Sequence, residues 1–323
     1  MNLYLLIFAG QKYYKTLQLK QMLFDISKAN IDILQDDLFM QKQVTVSVLR
    51  LDKIHPLVSG NKLFKLHYFL EEALLTGHRA VLTFGGAYSN HLSATAYACK
   101  TLHVKCIGMV RGERPKKLSP TLLQCLDDGM QLHFISRSDY KQQETPGFHQ
   151  KLQDAFGDCI IIPEGGYHPA GVKGASLIYD LLKDEKYTHI SLACGTATTL
   201  AGILTRVEPE QYVTGISVLK GIADIPERII NLTREHQPFK NLEIVNDYHF
   251  GGYAKKTGDL IEFMNQCWLR YRLPLDFVYT AKMMYAITDR IKNDVYKKGS
   301  NIICIHTGGL QGNKSLPLNS LLF

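Results

Sequence analysis

The feature that most constrains this chain is an alternation. Short, continuous apolar runs rich in β-branched residues are separated by longer stretches with helical periodicity. Ala80–Phe84, Val104–Val110, Gln131–Ile135, Cys159–Ile162, Ile190–Ala193, Val213–Val218, Leu242–Val245 and Asn301–Ile305 read as strands. Leu92–Lys100, Thr121–Asp128 and a segment from Gly171 to Leu182 read as helices. A strand that is apolar along its whole length is buried on both faces, which is the habit of parallel sheets covered by helices. The expected fold class is therefore α/β, with open, twisted, mostly parallel sheets flanked by helices. At 323 residues the chain has room for roughly two domains of about 150 residues. No low-complexity linker divides it, so one domain is expected to be inserted into the other. The N-terminal 30 residues stand outside the alternation. There Leu3–Phe8 reads as a strand and Thr16–Ala29 as a helix, in an extension packed on the body or in an oligomer contact.

Composition removes several other classes. Hydrophobic residues are 46% and charged residues 21%, which is enough apolar material for a packed core and argues against disorder. The net charge of +7 is scattered, and the short clusters Arg111–Lys117 and Lys255-Lys256 lack interleaved aromatics, so no nucleic-acid partner is expected. No apolar run approaches the roughly 20 residues of a membrane helix. The apolar start has no positive charge before it, the reverse of a secretion signal, so no membrane association is expected. The seven cysteines are odd in number and none forms a C-x-x-C pair. They suit a reducing, cytoplasmic compartment, and no metal site is expected.

In parallel sheets ligands bind beyond the C-terminal ends of the strands, so the turns after the strands carry the chemistry. Phe84 is followed by Gly85-Gly86-Ala87-Tyr88-Ser89-Asn90-His91, and Ile162 by Pro163-Glu164-Gly165-Gly166-Tyr167-His168-Pro169. Ala193 is followed by Cys194-Gly195-Thr196-Ala197-Thr198-Thr199, and Ile305 by His306-Thr307-Gly308-Gly309. Each joins glycine, which lets backbone N–H groups approach a ligand, to hydroxyl, amide or imidazole side chains. The Gly195–Thr199 turn opens a helix and is a candidate phosphate site, though it matches neither a Walker loop nor a dinucleotide fingerprint. Upstream, Val58-Ser59-Gly60-Asn61 runs into a helix carrying Lys62 and Lys65. A lysine working with a phosphate site is what pyridoxal phosphate requires, because its aldehyde needs an amine. Periodicity does not choose between the two lysines.

The order of these motifs adds a resemblance. Ser59-Gly60-Asn61-Lys62-x-x-Lys65-Leu66 comes first, then Ser89-Asn90-His91 and Pro163-Glu164-Gly165-Gly166. The Thr199 turn with Ala201-Gly202 follows, then Gly251-Gly252-Tyr253, Asp276-x-Val278-Tyr279 and His306-Thr307-Gly308-Gly309. Across roughly residues 40–312 this resembles the 1-aminocyclopropane-1-carboxylate deaminase / D-cysteine desulfhydrase family, pyridoxal-phosphate enzymes of the tryptophan synthase β-like fold (fold type II). The resemblance implies a large cofactor-binding domain from 1–67 and 175–323 and an inserted small domain, 68–174, with the cofactor in the cleft between. It implies that Lys65 is the Schiff-base lysine and Asn90 the partner of the pyridoxal 3′-oxygen. Ser89, Asn90 and His91 match the loop that receives the substrate. Gly195, Thr196, Ala197, Thr198 and Thr199 match the phosphate loop, although the family prefers glycine where Ala197 and Thr198 stand. Thr280, Thr307 and Gly308 join the cofactor-binding set, and Tyr248 and Tyr279 are taken as tyrosines acting near the substrate.

The activity so implied is β-elimination from a small amino acid, foremost D-cysteine to pyruvate, hydrogen sulfide and ammonia. Deamination of 1-aminocyclopropane-1-carboxylate to 2-oxobutanoate and ammonia is the alternative, and a catalytically silent phosphate-binding relative is a third reading. Ring-opening members carry Tyr-Glu where this chain has Tyr279-Thr280, and their glutamate faces the pyridine nitrogen. A hydroxyl there leaves a weaker electron sink, which suits a good leaving group. A cytoplasmic homodimer acting on a small-molecule substrate completes the expectation.

Overall fold

The computed structural model describes residues 26–55, 60–78, 80–182, 185–235 and 239–323. The expected strand Leu3–Phe8, most of the expected helix Thr16–Ala29, and Ser59 lie outside the described residues; Ile26–Lys28 is a single 3-10 turn. Along the chain come β1 (Ile31–Ile33), α1 (Asp37–Lys42), β2 (Thr45–Arg50), α2 (Asn61–Thr76), β3 (Ala80–Gly85) and α3 (Asn90–Thr101). Next are β4 (Lys105–Arg111), α4 (Pro120–Asp127), β5 (Met130–Ile135), α5 (Arg137–Tyr140), α6 (Pro146–Phe156), β6 (Cys159–Ile162) and α7 (Pro169–Ser176). The remainder is β7 (His189–Cys194), α8 (Thr198–Leu204), β8 (Tyr212–Ser217), α9 (Ile225–Thr233), β9 (Leu242–Val245), α10 (Gly258–Tyr271), α11 (Thr280–Lys292) and β10 (Asn301–His306). The class is α/β, as the apolar alternation implied. No helix among the described residues is long and apolar enough to cross a membrane.

Two units share these elements. One is built chiefly from Lys62–Gly174; the other joins Ser27–Asn61 to Ala175–Phe323. The first crossing falls inside α2, ahead of residue 67. The Lys62–Gly174 unit holds a four-stranded sheet of order β5-β4-β3-β6, parallel throughout. All six residues of β3 are buried, which is why Ala80–Phe84 shows no polar alternation. Leu82, Phe84, Ile107 and Met109 pack there with Tyr140 and Leu152. Ser119 caps α4 by accepting from Leu122 N, and Pro120 occupies the first turn, where no backbone donor is missed.

The other unit holds a six-stranded sheet of order β1-β2-β10-β7-β8-β9. All its neighbouring pairs are parallel except the edge pair, where β1 runs antiparallel to β2. Sequence periodicity passed over both β1 and β2. β1 has only three residues, and Ser47 and Arg50 break the apolar run of β2. Arg50 is nevertheless buried, with its guanidinium 2.6 Å from Asp32 and 2.7 Å from Asp52. Burial alone would raise the Asp52 carboxyl, but His306 and Arg50 beside it bring it below its ordinary value. His306, at the end of β10, faces Asp52 at 3.3 Å through Nδ1 and the Pro274 carbonyl at 2.7 Å through Nε2. The loop that follows is thereby tied down. Gly60 has φ +87°, and a Cβ there would lie 2.0 Å from the Thr307 carbonyl oxygen, so only glycine fits against that loop.

Candidate functional site

Within the Lys62–Gly174 unit, the candidate side chains lie at the start of α3 and on α2. Lys65 is 4% exposed and its Nζ donates to the Gly165 carbonyl at 3.0 Å. Gly166, at φ +70°, approaches so closely that a Cβ would lie 3.2 Å from Lys65 Cβ. The Pro163-Glu164-Gly165-Gly166 turn thus forms the wall along this lysine. Lys62, one turn earlier, is only half-buried. The structure therefore separates two lysines that periodicity left equivalent: Lys65 is the desolvated one.

Ser89 Oγ caps α3, accepting from His91 N and Leu92 N at 3.2 Å each. Gly85 leaves the space for it, since a Cβ there would lie 2.5 Å from Ser89 Oγ. Asn90 Oδ1 is buried and has no hydrogen-bond partner among the described residues. His91 is 2% exposed, and burial, helped by the charges of Lys62 and Lys65, lowers its pKa to about 3, with the Pro163 carbonyl pulling the other way. It is a neutral imidazole at neutral pH. Ser89, Asn90, His91 and Lys65 are all in this unit.

Within the other unit, Gly195–Thr199 follows β7 and leads into α8. Ala197 has φ 65° and ψ −12°, the left-handed conformation that glycine adopts without cost. Alanine thus keeps the glycine-type path of the turn at the expense of strain. Thr198 is fully buried, with its Oγ1 3.1 Å from Thr196 Oγ1, and Thr199 Oγ1 accepts from Asn61 Nδ2 at 2.7 Å. Asn61 N donates to the Thr307 carbonyl at 3.2 Å. Asn61 therefore links the turn to the Thr307-Gly308 loop, a role that no sequence signal offered.

Tyr279 is half-buried and lies over this turn: a Cβ at Gly195 would be 3.3 Å from its Cε1. The ring meeting Tyr279 belongs to Tyr253, with centroids 6.3 Å apart at an interplanar angle of 70°. Tyr248 goes elsewhere. Its hydroxyl donates to Asp289 Oδ2 at 2.7 Å, and burial together with that carboxylate pushes its pKa up to about 12. Gly251-Gly252-Tyr253 is one of the ordered motifs, and it brings Tyr253, which the expected site residues do not include, to Tyr279, while Tyr248 lies against Asp289. The signal available was the glycine pair itself, at φ +93° and +116°, which sets the turn that presents Tyr253.

Thr280 is fully buried at the start of α11. Its Oγ1 donates to Asp276 Oδ2 at 2.7 Å and accepts from Asp276 N at 2.8 Å. Asp276 Oδ1 also accepts from Val278 N and Tyr279 N, and Oδ2 from Thr280 N. The one carboxylate here is spent on capping the helix, and the one hydroxyl proton of Thr280 is spent on that carboxylate.

A family model described as pyridoxal-phosphate dependent enzyme matches residues 39–308. A putative 1-aminocyclopropane-1-carboxylate deaminase from Thermotoga maritima is 33% identical over 271 residues, covering 79% of this chain and 85% of the relative. The bifunctional D-cysteine desulfhydrase/1-aminocyclopropane-1-carboxylate deaminase of Arabidopsis thaliana is 29% identical over 287 residues, covering 79% and 70%. Among solved structures, a homologue of 1-aminocyclopropane-1-carboxylate deaminase superposes with a TM-score of 0.75 at 27% identity, covering 88% of this chain and 90% of the other.

Proposed function

This chain belongs to the pyridoxal-phosphate-dependent enzymes, and we propose that it acts on D-cysteine, which with water yields pyruvate, hydrogen sulfide and ammonia. The residues present fit the cofactor in each unit. In one, a buried amine, Lys65, suits its aldehyde, and the orphaned Asn90 amide sits one residue past the Ser89 cap. In the other, a turn of small residues with a left-handed Ala197 suits its phosphate. When bound, the cofactor supplies an electron sink for the Cα of an amino acid.

The chain's own groups divide the remaining work. Lys65 would hold the cofactor by its amine and, once released, would take the proton from Cα; burial favours the neutral amine, the form able to accept that proton. Ser89, Asn90 and His91 bind substrate and cofactor, with His91 held by burial as a neutral imidazole able to donate one hydrogen bond. Gly195–Thr199 holds the phosphate through backbone N–H groups and threonine hydroxyls. Tyr279, and with it Tyr253, bounds the substrate side of the unit that carries the turn.

The observation that carries the choice of substrate is Thr280. At the position where ring-opening relatives hold a glutamate, this chain has a neutral side chain whose only proton goes to Asp276. Asp276 is itself saturated by the backbone donors of 278–280 and by the Thr280 hydroxyl, so its carboxylate is not left over for a ring nitrogen. The weaker sink suffices where a thiol leaves from Cβ and is poor for opening a cyclopropane. The second reading, deamination of 1-aminocyclopropane-1-carboxylate, is favoured by the names of the relatives above. A cytoplasmic homodimer is part of the proposal: all seven cysteines are buried and none is in a disulfide, which suits a reducing compartment, and a monomer in equilibrium sedimentation would remove the dimer.

Two measurements test the proposal. Borohydride reduction followed by mass spectrometry is expected to leave a pyridoxyl adduct on Lys65; an adduct on Lys62 would overturn the assignment. Lys65→Ala is expected to lower turnover by on the order of 10³-fold or more. A panel of D- and L-amino acids assayed for 2-oxo acid is expected to show turnover of D-cysteine and 3-chloro-D-alanine and little of 1-aminocyclopropane-1-carboxylate. Efficient 2-oxobutanoate formation with D-cysteine inert would establish the second reading instead.

A further inference from the structure

Lys282 is fully buried on α11, three residues past Tyr279, and the chemistry above does not use it. Its Nζ donates to the Gly252 carbonyl at 2.7 Å, the His249 carbonyl at 2.8 Å and the Val218 carbonyl, at the end of β8, at 3.4 Å. An ammonium has three protons, and three carbonyls receive them. Burial brings its pKa down to about 8, with Asp276 opposing, so at neutral pH it is charged. A buried charge costs several kcal/mol in desolvation, and an apolar side chain could fill the space without that cost. What the charge supplies is direction: two of its acceptors bracket the turn 249–252.

That turn needs an outside tie. Phe250, Gly251, Gly252 and Ala254 all have positive φ, so it makes no regular ladder with a neighbour. Its internal bonds are Gly252 N to the His249 carbonyl, Lys255 N to the Gly252 carbonyl and Gly251 N to His249 Nδ1. The next residue is Tyr253, whose ring meets Tyr279. We propose that Lys282 is a positioning residue for the substrate site: by gripping the His249 and Gly252 carbonyls it sets Tyr253 against Tyr279. This rests on the reading of Tyr279 as a substrate-side residue.

A double-mutant cycle and amide exchange test it. Lys282→Met in the holoenzyme is expected to raise KM about tenfold with kcat changed less than about threefold, and to keep the cofactor absorbance. In the background of Tyr253→Ala the same substitution is expected to change kcat/KM no further, because it acts through Tyr253. Amide exchange in a peptide spanning 247–256 is expected to quicken about tenfold in Lys282→Met, with β7 unchanged. A purely structural lysine would instead give additive losses in the cycle and quickened exchange across the whole unit; either outcome overturns the proposal. Should Lys282→Met fail to fold, Lys282→Gln, which keeps two donors without charge, carries the same cycle. The exchange experiment needs no substrate. If every amino acid proves inert, exchange alone decides the role of Lys282, and unchanged exchange at 247–256 overturns it.

Discussion

The starts of α3 and α11 are both capped by a short polar side chain, yet they leave opposite residues. At α3, Ser89 satisfies two backbone donors, while the next residue, Asn90, keeps a buried amide oxygen without a partner among the described residues. At α11, Asp276 accepts from three backbone N–H groups and from the Thr280 hydroxyl, and Thr280 Oγ1 accepts in turn from Asp276 N. A buried polar atom left unmatched costs stability, and it persists where something other than the protein completes it. A closed set of hydrogen bonds is a structural device. The contrast separates two residues that the sequence marks alike as candidates: Asn90 keeps an unmatched acceptor, as its proposed ligand role requires, whereas Thr280 is closed on Asp276.

The largest effect expected from this contrast is on stability. Asp276→Ala orphans a set of buried donors and should cost about 3 kcal/mol, lowering Tm by roughly 5 °C. Asn90→Ala removes an atom that has no partner to lose, so the Tm of the cofactor-free protein should move by no more than about 2 °C. Its cost should appear in cofactor affinity, as a Kd about tenfold weaker in spectroscopic titration. Equal losses of Tm in the two variants would break the comparison.

Acid sharpens it further. Above pH 6.5, His91 is neutral in both the folded and the unfolded chain. Below that the unfolded chain takes up a proton, which the folded chain resists until about pH 3. Stability present above pH 6.5 is therefore lost as the pH falls towards 3, by up to about 1.4 kcal/mol per pH unit. Denaturant unfolding of the wild type and of His91→Phe across that window checks this. The variant should show the shallower dependence.

The smallest effect concerns the turn that opens α8. Ala197→Gly relieves the left-handed strain but loosens the unfolded chain, for a net gain of about 0.5 kcal/mol with cofactor affinity kept. Ala197→Val, β-branched at φ 65°, should lose stability and affinity together. A stable valine variant with unchanged affinity would show that the turn tolerates another path.

The sequence alone shows the fold class, most of the strands, and the ordered motifs that point to pyridoxal phosphate. Those signals are local: a strand buried on both faces must be apolar throughout, and a turn that brings backbone to a ligand must be glycine-rich. It passed over β1 and β2 because three residues carry no period and a buried Arg50 reads as exposed until Asp32 and Asp52 are seen beside it. Tertiary structure alone decided that Lys65 rather than Lys62 is desolvated and that Tyr253 rather than Tyr248 meets Tyr279. It alone showed the Thr280 proton committed to Asp276, and Lys282 bound to carbonyls some 30 to 64 residues away in the chain. Periodicity reports which face of an element is apolar. Which acceptor a buried donor meets depends on contacts distant in sequence, and these exist only once the sheet and its helices have packed.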